Sequence, residues 1–362
     1  MQGTLKIGLV LCSPADRPIP STRIAVLNLL PHLRDRGFEF NLLFSPAEPN
    51  ETPDLTGVAD LAVQTGCRIV VLQKVRGASA VALARHLEAA RVKTVFFVCD
   101  VIDPAMVEAT TATVTVTNYL RSLYPFALQS RIRVVHDGIE HPEFTKLAVL
   151  ARRGSLTQPI RAVLVTSSPL ATLPLLEQLP PWLRVSIVGR YPPRTAWIER
   201  LRMGRWIWDG LPDPPAKRAF TAFLLDPRVR CVPWHPRGVY EELMSADIGI
   251  IPVDTKLSKA IAREPAAWTV KSENRLTLMM AVGLPVIATP IPSYIPLVRQ
   301  GENAFLASTL DDWTSALETL RDPAVRRRIG QSARDSVLSN YSIERQAGLV
   351  ADLFFSLLDY AR

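Results

Sequence analysis

The sequence predicts an α/β protein made of two Rossmann-like domains, each with a doubly wound parallel sheet. Its 362 residues are more than one compact core usually holds and enough for two α/β domains. Strand-like apolar runs alternate with helix-like segments in both halves of the chain, and long Val, Ile, Leu and Phe runs are typical of strands covered on both faces. A composition of 48% hydrophobic and 21% charged residues predicts that the whole chain folds.

The first half, residues 1–150, is the predicted N-terminal domain. Six runs predict its strands: KIGLVL, FEFNLLF, CRIVVLQ, KTVFFVC, residues 112–117 and RIRVV. Helices are predicted over residues 21–36, 78–90 and 119–124. The polar stretch 151–159 interrupts the alternation, and we predict that the two domains join there.

Residues 151–341 form the predicted C-terminal domain, in which the same alternation resumes. Strands are predicted at RAVLVT, LRVSIVG, VRCVPW, DIGIIPV and LPVIATP, and helices at residues 170–179, 239–244, 275–282 and from 309 onward. Residues 191–215 are interpreted as a proline-rich excursion, and residues 253–267 as a loop that could close over a ligand. The amphipathic segment 342–362 could pack on its own domain, but we expect it to return to the first.

Charge and hydropathy narrow the classes of partner and location. A net charge of +8 indicates an anionic partner, and the spread of basic residues along the chain argues against nucleic acid. A nucleotide diphosphate and an anionic lipid surface both fit. No apolar run approaches the roughly 18 residues of a spanning helix, and no early segment has the pattern of a signal peptide. We therefore expect a cytoplasmic protein, and peripheral contact with the inner face of a membrane stays open.

Polar residues at the strand ends of the first half are candidate ligand contacts, because doubly wound sheets bind ligands beyond the carboxyl ends of their strands. The turn after the first strand leads to Ser21, Thr22 and Arg23 at a helix start. Ser21 and Thr22 are residue types that cap helices, and Arg23 would project toward the crevice. The alternative is a simple cap beside a solvated surface charge.

Three further residues of the first half follow strand ends. Asp100 comes directly after KTVFFVC and could orient a hydroxyl or act as a base. Asp103 precedes Pro104, so it is equally well explained as a helix N-cap. His136 follows the strand RIRVV and lies at the predicted hinge, although a histidine after a strand is often an ordinary loop residue.

Strand ends of the second half carry hydroxyl, glycine and guanidinium groups suited to phosphate. Ser167 and Ser168 follow RAVLVT, and Gly189 and Arg190 follow VSIV. Glycine permits close backbone approach, and an arginine in a cleft binds phosphate through two hydrogen bonds. Capping is the alternative for the two serines.

The densest polar cluster lies between residues 268 and 275. Lys271, Ser272, Glu273, Asn274 and Arg275 stand where a loop meets a predicted helix N-terminus. Cations are disfavoured at a helix N-terminus unless an anion is bound there, so the cluster indicates an anionic ligand such as a diphosphate. A solvated charged loop is the alternative interpretation.

Several segments resemble those of a known enzyme family. The run AVGLPVIATPIPSYIPLVRQGENAFL resembles the donor-domain signature of GT-B glycosyltransferases, close to the large retaining family usually numbered four. VVHDGIEHP, PWHPRGVYEELMSADIGIIPV and RRRIGQSARDSVLSNYSIERQA resemble other segments of that family, over roughly residues 131–357. The resemblance implies the GT-B fold, in which two Rossmann-like domains face each other across a cleft.

One departure from the family pattern concerns its two glutamates, which precede the A-x-G-x-P-V segment eight positions apart. Val270 and Leu278 occupy those positions here. The second glutamate normally contacts the donor's ribose, so the resemblance implies that this role is vacant or has moved, with Glu273 the nearest candidate. A Glu273 in a helix with Leu278 would lie on a different face, which leaves a solvated or charge-compensating glutamate as the alternative.

The resemblance implies transfer of a sugar from a nucleoside diphosphate to an acceptor hydroxyl of a saccharide or lipid-linked acceptor, in glycan, polysaccharide or glycolipid assembly. Catalysis would stabilise the departing diphosphate, with no metal and no cofactor besides the nucleotide-sugar substrate. Retention is expected over inversion. The alternatives are a GT-B nucleotide-sugar-binding or scaffold protein without catalysis and, less favoured, an epimerase or phosphorylase.

The implied roles divide the candidates into three sets. The catalytic set is Arg190, Lys271, Arg275 and, as base in an inverting reaction, Asp100. The donor-binding set is Ser167, Ser168, Gly189, Ser272, Glu273 and Asn274. The acceptor-binding set is Ser21, Thr22, Arg23, Asp103 and His136.

Overall fold

A computed structural model describes residues 4–146, 152, 154–167, 179–211, 213–253, 255 and 265–358. The chain divides into two compact units: the first comprises residues 1–140, 270–274 and 340–362, and the second comprises residues 141–269 and 275–339. Each unit contains one six-stranded sheet, and every paired strand in both sheets is parallel. The prediction of two separate parallel sheets is confirmed.

The first unit is a doubly wound sheet in the order β2-β1-β3-β4-β5-β6. Its strands are β1 (Leu5–Leu11), β2 (Phe38–Phe44), β3 (Ile69–Gln73), β4 (Lys93–Val98), β5 (Ala112–Thr115) and β6 (Ile132–Val134). Its helices are α1 (Pro20–Ala25), a 3₁₀ turn (Leu27–Leu29), α2 (Leu30–Arg34), α3 (Val58–Gln64), α4 (Ala78–Ala89), α5 (Pro104–Ala109), α6 (Asn118–Ser122) and α7 (Phe126–Gln129), with the distant α14 (Ile343–Leu357).

Alternation along the strands gives this sheet two apolar faces. In β3, Ile69 and Val71 pack in the core on one face, whereas Val70 and Leu72 pack in the core on the other. The first of these cores includes residues of α14, and the second includes residues of α3 and α4. Because both faces of the sheet are covered there, β3 is apolar from Ile69 to Leu72, and the polar Gln73 and Lys74 come at its end.

The predicted helix over residues 21–36 is wrong as a single element. The segment forms α1, the 3₁₀ turn and α2 in succession. Pro31 is the second residue of α2 and has no backbone N–H to continue a helix from α1. The helix signal was correct in position, but the proline interrupts it.

The second unit repeats the architecture in the order β12-β11-β10-β7-β8-β9. Its strands are β7 (Ile160–Val165), β8 (Leu183–Gly189), β9 (Val229–Pro233), β10 (Ile248–Ile251), β11 (Val286–Ala288) and β12 (Phe305–Leu306). Its helices are α8 (Trp197–Gly210), α9 (Pro214–Leu225), α10 (Gly238–Ser245), α11 (Asn274–Val282), α12 (Leu310–Thr319) and α13 (Pro323–Leu338). The predicted helix over residues 170–179 and most of the predicted loop 253–267 lie outside the described residues.

The interpretation of residues 191–215 as a proline-rich excursion missed a long helix. The segment contains the 14 residues of α8. Its prolines flank the helix at residues 192, 193, 212, 214 and 215 and none lies inside it. The density of prolines at both ends obscured the helical run between them.

The division into units differs from the expected domains in two places. Residues 141–150 group with the second unit, where Lys146 and Arg152 bind the buried Asp247: Arg152 Nη1 lies 3.0 Å and Lys146 Nζ 3.8 Å from its carboxylate oxygens. Residues 270–274 group with the first unit, because Val270 is buried among Val107, Leu120 and other apolar residues there.

Helix α14 completes the core of the first unit. Ile343, Ala347, Val350 and Phe354 are buried in the same cluster as residues of β1 and β3. The Gln346 side chain of this helix also accepts a 3.0 Å hydrogen bond from the backbone N–H of His136. The last helix therefore supports both the core and the strand end that carries His136.

A close backbone contact fixes α13 in the second unit. A Cβ added to Gly330 of α13 would lie 2.2 Å from the carbonyl oxygen of Gly283, whose φ of +90° turns the chain after α11. Glycine is needed at Gly330 for this approach and at Gly283 for the left-handed backbone.

We expect Gly330→Ala to destabilise the second unit by about 2 to 4 kcal/mol, because rigid backbone must move to admit the methyl group. The matched control is Gly204→Ala in α8, where nothing lies within 4 Å of the added Cβ. This control should stabilise the unit by roughly 0.5 to 1 kcal/mol through helix propensity. All 7 tryptophans lie in the second unit, so urea unfolding followed by tryptophan fluorescence reports on it. Equal midpoints for the two variants would contradict the steric argument.

Candidate functional site

Three strands of the first sheet end in polar residues that lie around one recess. β3 ends at Gln73 and is followed by Lys74, β4 is followed by Cys99, with Asp100 next to it, and β6 is followed closely by His136 and Asp137. The residues that line the recess are Ala25, Gln73, Lys74, Phe97, Val98, Cys99, Val114, Val116, Val135, His136 and Asp137. Because parallel strands place their carboxyl ends on one edge, this is the edge at which the fold predicts a ligand.

Lys74 is the central cation of this edge. Its Nζ lies 2.9 Å from Glu51 Oε1 and 2.8 Å from Asp100 Oδ1, and only 7% of its side chain is exposed. Its backbone has a φ of +54°, a left-handed conformation that costs a non-glycine residue on the order of 1 kcal/mol. Burial alone would lower the pKa of Lys74, but the negative groups around it outweigh burial and raise this pKa. Lys74 is therefore a permanent cation.

Asp100 is held as a carboxylate by this partner. Burial raises the pKa of Asp100, but the charge and hydrogen bond of Lys74 and the charge of Lys271 outweigh that effect and lower it. A lowered pKa makes a carboxylate a weak proton acceptor at neutral pH. The base role predicted for Asp100 in an inverting reaction stays a prediction, and the Lys74 contact counts against it.

The end of β6 binds a segment from far along the chain. Ser272 Oγ donates a 2.7 Å hydrogen bond to Asp137 Oδ2, and His136 Nδ1 lies 2.5 Å from Glu273 Oε1. Burial raises the pKa of Asp137 to about 6, against the hydrogen bond of Ser272. Burial lowers the pKa of His136, but the hydrogen bond and charge of Glu273 outweigh it, and this pKa is raised.

Glu273 is therefore neither solvated nor isolated. It is 2% exposed, directly precedes α11 and contacts the imidazole of His136, whose ring also packs 5.0 Å from that of Tyr341. The alternative of a solvated glutamate is wrong. That Glu273 binds a ribose stays a prediction. Its carboxylate would have to contact the ribose while it also contacts the imidazole of His136.

The two positions at which the family pattern has glutamate differ in setting. Val270 is 3% exposed and packs in an apolar cluster with Val107, Leu120, Tyr124 and Ile132. Leu278 is half-buried within α11. Valine at position 270 thus anchors the segment in the first unit, where a carboxylate would be buried among hydrocarbon.

The first βα turn differs from its predicted role in two respects. The N-cap of α1 is Ile19 and Pro20 begins the helix, so neither Ser21 nor Thr22 caps it. Thr22 is fully buried, accepts a 2.8 Å hydrogen bond from Ser13 Oγ and donates one of 2.8 Å to Gln73 Oε1. Thr22 is therefore an internal link between the turn and β3.

Arg23 is also engaged within the first unit. Its guanidinium forms an ion pair with Glu140, whose Oε1 also accepts a 2.6 Å hydrogen bond from Asn28 Nδ2. The alternative of a freely solvated Arg23 is wrong. Ser21 is half-buried on α1 and stays an acceptor-binding prediction.

Asp103 is a helix cap in this structure. Its carboxylate accepts a 3.1 Å hydrogen bond from the backbone N–H of Met106, and Pro104 follows as the first residue of α5. The capping interpretation is confirmed. Because one oxygen of its carboxylate already accepts the capping hydrogen bond, Asp103 is a weaker candidate for binding the acceptor substrate than the sequence indicated.

The second unit presents its own set of predicted residues at the carboxyl ends of its strands. Arg190 is exposed directly after β8, Ser167 is exposed after β7, and Arg275 is half-buried in the first turn of α11. A Cβ on Gly189 would lie 3.1 Å from Thr166 O and 3.1 Å from Tyr191 Cε2. The groups that pack closely against this glycine are therefore neighbouring residues of the protein. Ser168 lies outside the described residues.

The predicted residues therefore belong to two separate sets. The first unit contains Asp100, His136, Lys271, Ser272, Glu273 and Asn274, and the second unit contains Ser167, Gly189, Arg190 and Arg275. Within the first, Ser272 and Glu273 meet Asp137 and His136, whereas Lys271 is exposed.

Three further residues at this edge of the first sheet are not among the predicted site residues: Glu51, Lys74 and Asp137. The signal for Lys74 was its place directly after the buried run IVVLQ, which is where β3 ends. Asp137 follows the last strand in the same way. Glu51 lies in a loop with no such signal, and only the ion pair with Lys74 reveals it.

Two absences within the described residues concern metals and membranes. Within the described ranges, no three or more His, Cys, Asp or Glu side chains are grouped to hold a metal ion. No helix in the described part of the chain is long and apolar enough to cross a membrane. Metal independence itself stays a prediction.

We expect Glu273→Gln to lower the pKa of His136, because burial lowers this pKa and the variant lacks the carboxylate charge that raises it. An NMR titration of the 5 histidines measures this, with His136→Gln to assign the resonance. Glu344→Gln, an exposed position in α14 of the same unit, is the control and should leave the pKa of His136 unchanged. An unchanged value in Glu273→Gln would show that the 2.5 Å contact does not control this histidine.

Known proteins match the chain in part of its sequence and in its fold. Residues 235–352 match a family described as "Glycosyl transferase-like". No curated protein matches the chain by sequence.

Three solved structures illustrate the likeness in fold. HepE from Anabaena, in complex with UDP and glucose, has a TM-score of 0.66 at 14% identity, over 97% of this chain and 100% of that one. A glycosyltransferase from Rickettsia africae has a TM-score of 0.68 at 11% identity, over 100% of both chains. Sucrose-phosphate synthase from Thermosynechococcus elongatus has a TM-score of 0.67 at 14% identity, over 99% and 100%.

These findings confirm the resemblance at the level of fold, while membership of family four stays a prediction. The likeness to solved structures spans nearly the whole chain, and the sequence match covers α10 to most of α14. The two parallel sheets and these likenesses show that the chain has the GT-B fold, and its residues 235–352 match a glycosyl transferase-like family.

Proposed function

We propose that this chain transfers a sugar from a nucleoside diphosphate to a hydroxyl of a saccharide or lipid-linked acceptor. The observation that carries the proposal is the glycosyl transferase-like match over residues 235–352, within a chain of two parallel six-stranded sheets. The solved complexes of HepE contain UDP and UDP-glucose, so UDP-glucose is the first donor to test. The process would be glycan, polysaccharide or glycolipid assembly in the cytoplasm.

The diphosphate is proposed to bind cationic residues. Arg190 after β8 and Arg275 in the first turn of α11 supply guanidinium groups, and Lys271 precedes Arg275 by four residues along the chain. Exposure of Arg190 and Lys271 leaves their charges available to a ligand. Ser167, Ser168, Gly189, Ser272 and Asn274 are the proposed supporting donor contacts.

The acceptor is proposed to bind at the carboxyl edge of the first sheet. Asp100 presents a carboxylate that Lys74 keeps ionised, which suits it to accept a hydrogen bond from an acceptor hydroxyl. Ser21 and His136 are the other acceptor contacts that we retain.

We propose a retaining reaction. Inversion with Asp100 as base would need a pKa near the working pH, and Lys74 lowers the pKa of Asp100 away from it. In a retaining reaction the departing diphosphate oxygen can take the proton from the acceptor hydroxyl. Catalysis then depends on positioning and on cations that stabilise the diphosphate.

The second candidate is a protein that binds nucleotide sugars without transferring them. The observation that favours it is Val270, which is buried in an apolar cluster at a position where the family pattern has glutamate. The two candidates differ in turnover, because both bind the donor and only the enzyme releases free nucleotide in the presence of an acceptor.

We expect Arg190→Ala, Lys271→Ala and Arg275→Ala each to reduce kcat/KM by roughly 30- to 1,000-fold, equivalent to about 2 to 4 kcal/mol of transition-state stabilisation. The measurement is release of free nucleotide from a panel of nucleotide sugars with saccharide acceptors. Arg85→Ala, at an exposed position on α4, is the matched control and should retain the activity of the unmodified protein.

Two results would contradict these assignments. Turnover close to that of the unmodified protein in all three variants would remove the proposed diphosphate contacts. Donor binding by calorimetry without nucleotide release across the whole panel would favour the binding protein over the enzyme.

A further inference from the structure

Helix α8 of the second unit exposes large apolar side chains to solvent. Trp197 and Leu201 are each 64% exposed, Ile198 is 49% exposed and Trp208 is 46% exposed. Only Ile207 of this helix is buried in the core, with Met203 partly buried beside it. So many exposed indole and aliphatic groups on one helix indicate a surface that binds a partner.

The exposed residues form a stripe. Trp197, Leu201 and Trp208 are spaced by four and seven residues, which places them within about 40° of one another around a helix axis. Ile207 and Met203, which contact the core, lie on a different face. By helical geometry the core-facing side of α8 lies roughly 120° from the stripe, and Trp206, which is 60% exposed, lies on the side opposite the stripe.

Basic residues border this stripe on both sides. By helical geometry Arg200 lies next to it on one side and Arg205 on the other, and Glu199 lies on the opposite face. Arg205 Nε lies 3.8 Å from Asp209 Oδ2, in an exposed pair that bulk water screens. Lys217 Nζ lies 5.4 Å from the centroid of the Trp208 ring. Between residues 190 and 218 the sequence has seven basic and three acidic residues, which is half of the chain's net charge of +8.

We propose that α8 docks on the surface of an anionic phospholipid membrane. Trp and Leu on one stripe with arginines beside it is the arrangement by which a helix lies in the interface, with indoles at the headgroup level and guanidinium groups on lipid phosphates. The arginine stems can follow the apolar surface while their charges reach the headgroups. The helix would lie on the membrane and not cross it, in keeping with its 14 residues.

Charge distinguishes this partner from a second copy of the chain. A symmetric dimer through the stripe would bring Arg200 and Arg205 of both copies together, and such like-charge contact is unfavourable. A bilayer that contains anionic lipid has negatively charged headgroups directly above an apolar acyl-chain region, so it can bind the arginines and the apolar stripe together. The inference does not depend on the proposed sugar transfer, since the stripe lies outside the residues assigned to the donor and the acceptor.

The test is co-sedimentation of the full chain with vesicles of phosphatidylcholine alone or mixed with phosphatidylglycerol. We expect binding to the mixed vesicles, a blue shift of tryptophan emission, and weaker binding at high salt. The variant Trp197→Ser/Leu201→Ser/Trp208→Ser should bind at least tenfold more weakly. Its control is Phe126→Ser/Leu156→Ser/Ile295→Ser, which removes three exposed apolar side chains elsewhere.

A second pair of variants tests the charges without altering the apolar stripe. Arg200→Gln/Arg205→Gln should bind the mixed vesicles roughly tenfold more weakly, because each cation near an anionic surface contributes to binding. Arg85→Gln/Arg327→Gln makes the same change in net charge at exposed positions of α4 and α13 and should bind like the unmodified protein.

Three outcomes would overturn the proposal. The first is that the unmodified chain does not sediment with the mixed vesicles. The second is that the serine variant sediments with them to the same extent as the unmodified chain. A lipid-free change of oligomeric state in the serine variant, seen by sedimentation velocity, would show that the stripe is a protein interface.

Discussion

Two successive residues after β6 determine where the most polar segment of the chain lies. Asp137 binds Ser272 and His136 binds Glu273, and Val270 fills an apolar cluster beside them. A buried carboxylate without these partners would cost several kcal/mol, so the contact is energetically required. Residues 270–274 consequently complete the binding edge of the first unit, although their neighbours in sequence form the second.

The same edge combines groups of fixed charge with groups that titrate. Lys74 is a permanent cation and Asp100 a permanent anion, because each stabilises the charged form of the other. Asp137 has a pKa raised to about 6, so it can exchange a proton near neutral pH, and Glu273 raises the pKa of the neighbouring His136. Charge at one end of the recess is therefore constant with pH, while at the other end it changes.

The fold followed from the sequence because buried parallel strands have a strong signature. Runs such as IVVLQ and KTVFFV are mostly apolar on both faces, and such runs predicted all six strands of the first sheet and five of the second. The two-residue β12 (Phe305–Leu306) is too short to give such a signal. Residues at strand ends, such as Asp100 and His136, could be identified for the same reason. Breaks within helices were harder, since Pro31 divides one amphipathic run and prolines at both ends hid α8.

The partners of the site residues could not be derived from local sequence. Ion pairs such as Lys74 with Glu51, and Arg23 with Glu140, join residues 23 and 117 positions apart, and no periodicity connects them. The docking of Val270 in the first unit has the same origin, because a single valine gives no sign of which core will bury it. Long-range pairing is decided by tertiary packing, which local pattern does not encode.

The position of α14 has a consequence for folding during synthesis. The core of the first unit needs Ile343, Val350 and Phe354, and the N–H of His136 needs Gln346. Since a ribosome makes roughly 5 to 20 residues per second, the sheet made from the first 135 residues waits on the order of ten seconds or more for its covering helix. During that interval one face of the sheet exposes apolar surface of the kind that chaperones bind. The second unit, apart from residues 270–274, is continuous in sequence and can fold while the first is still incomplete.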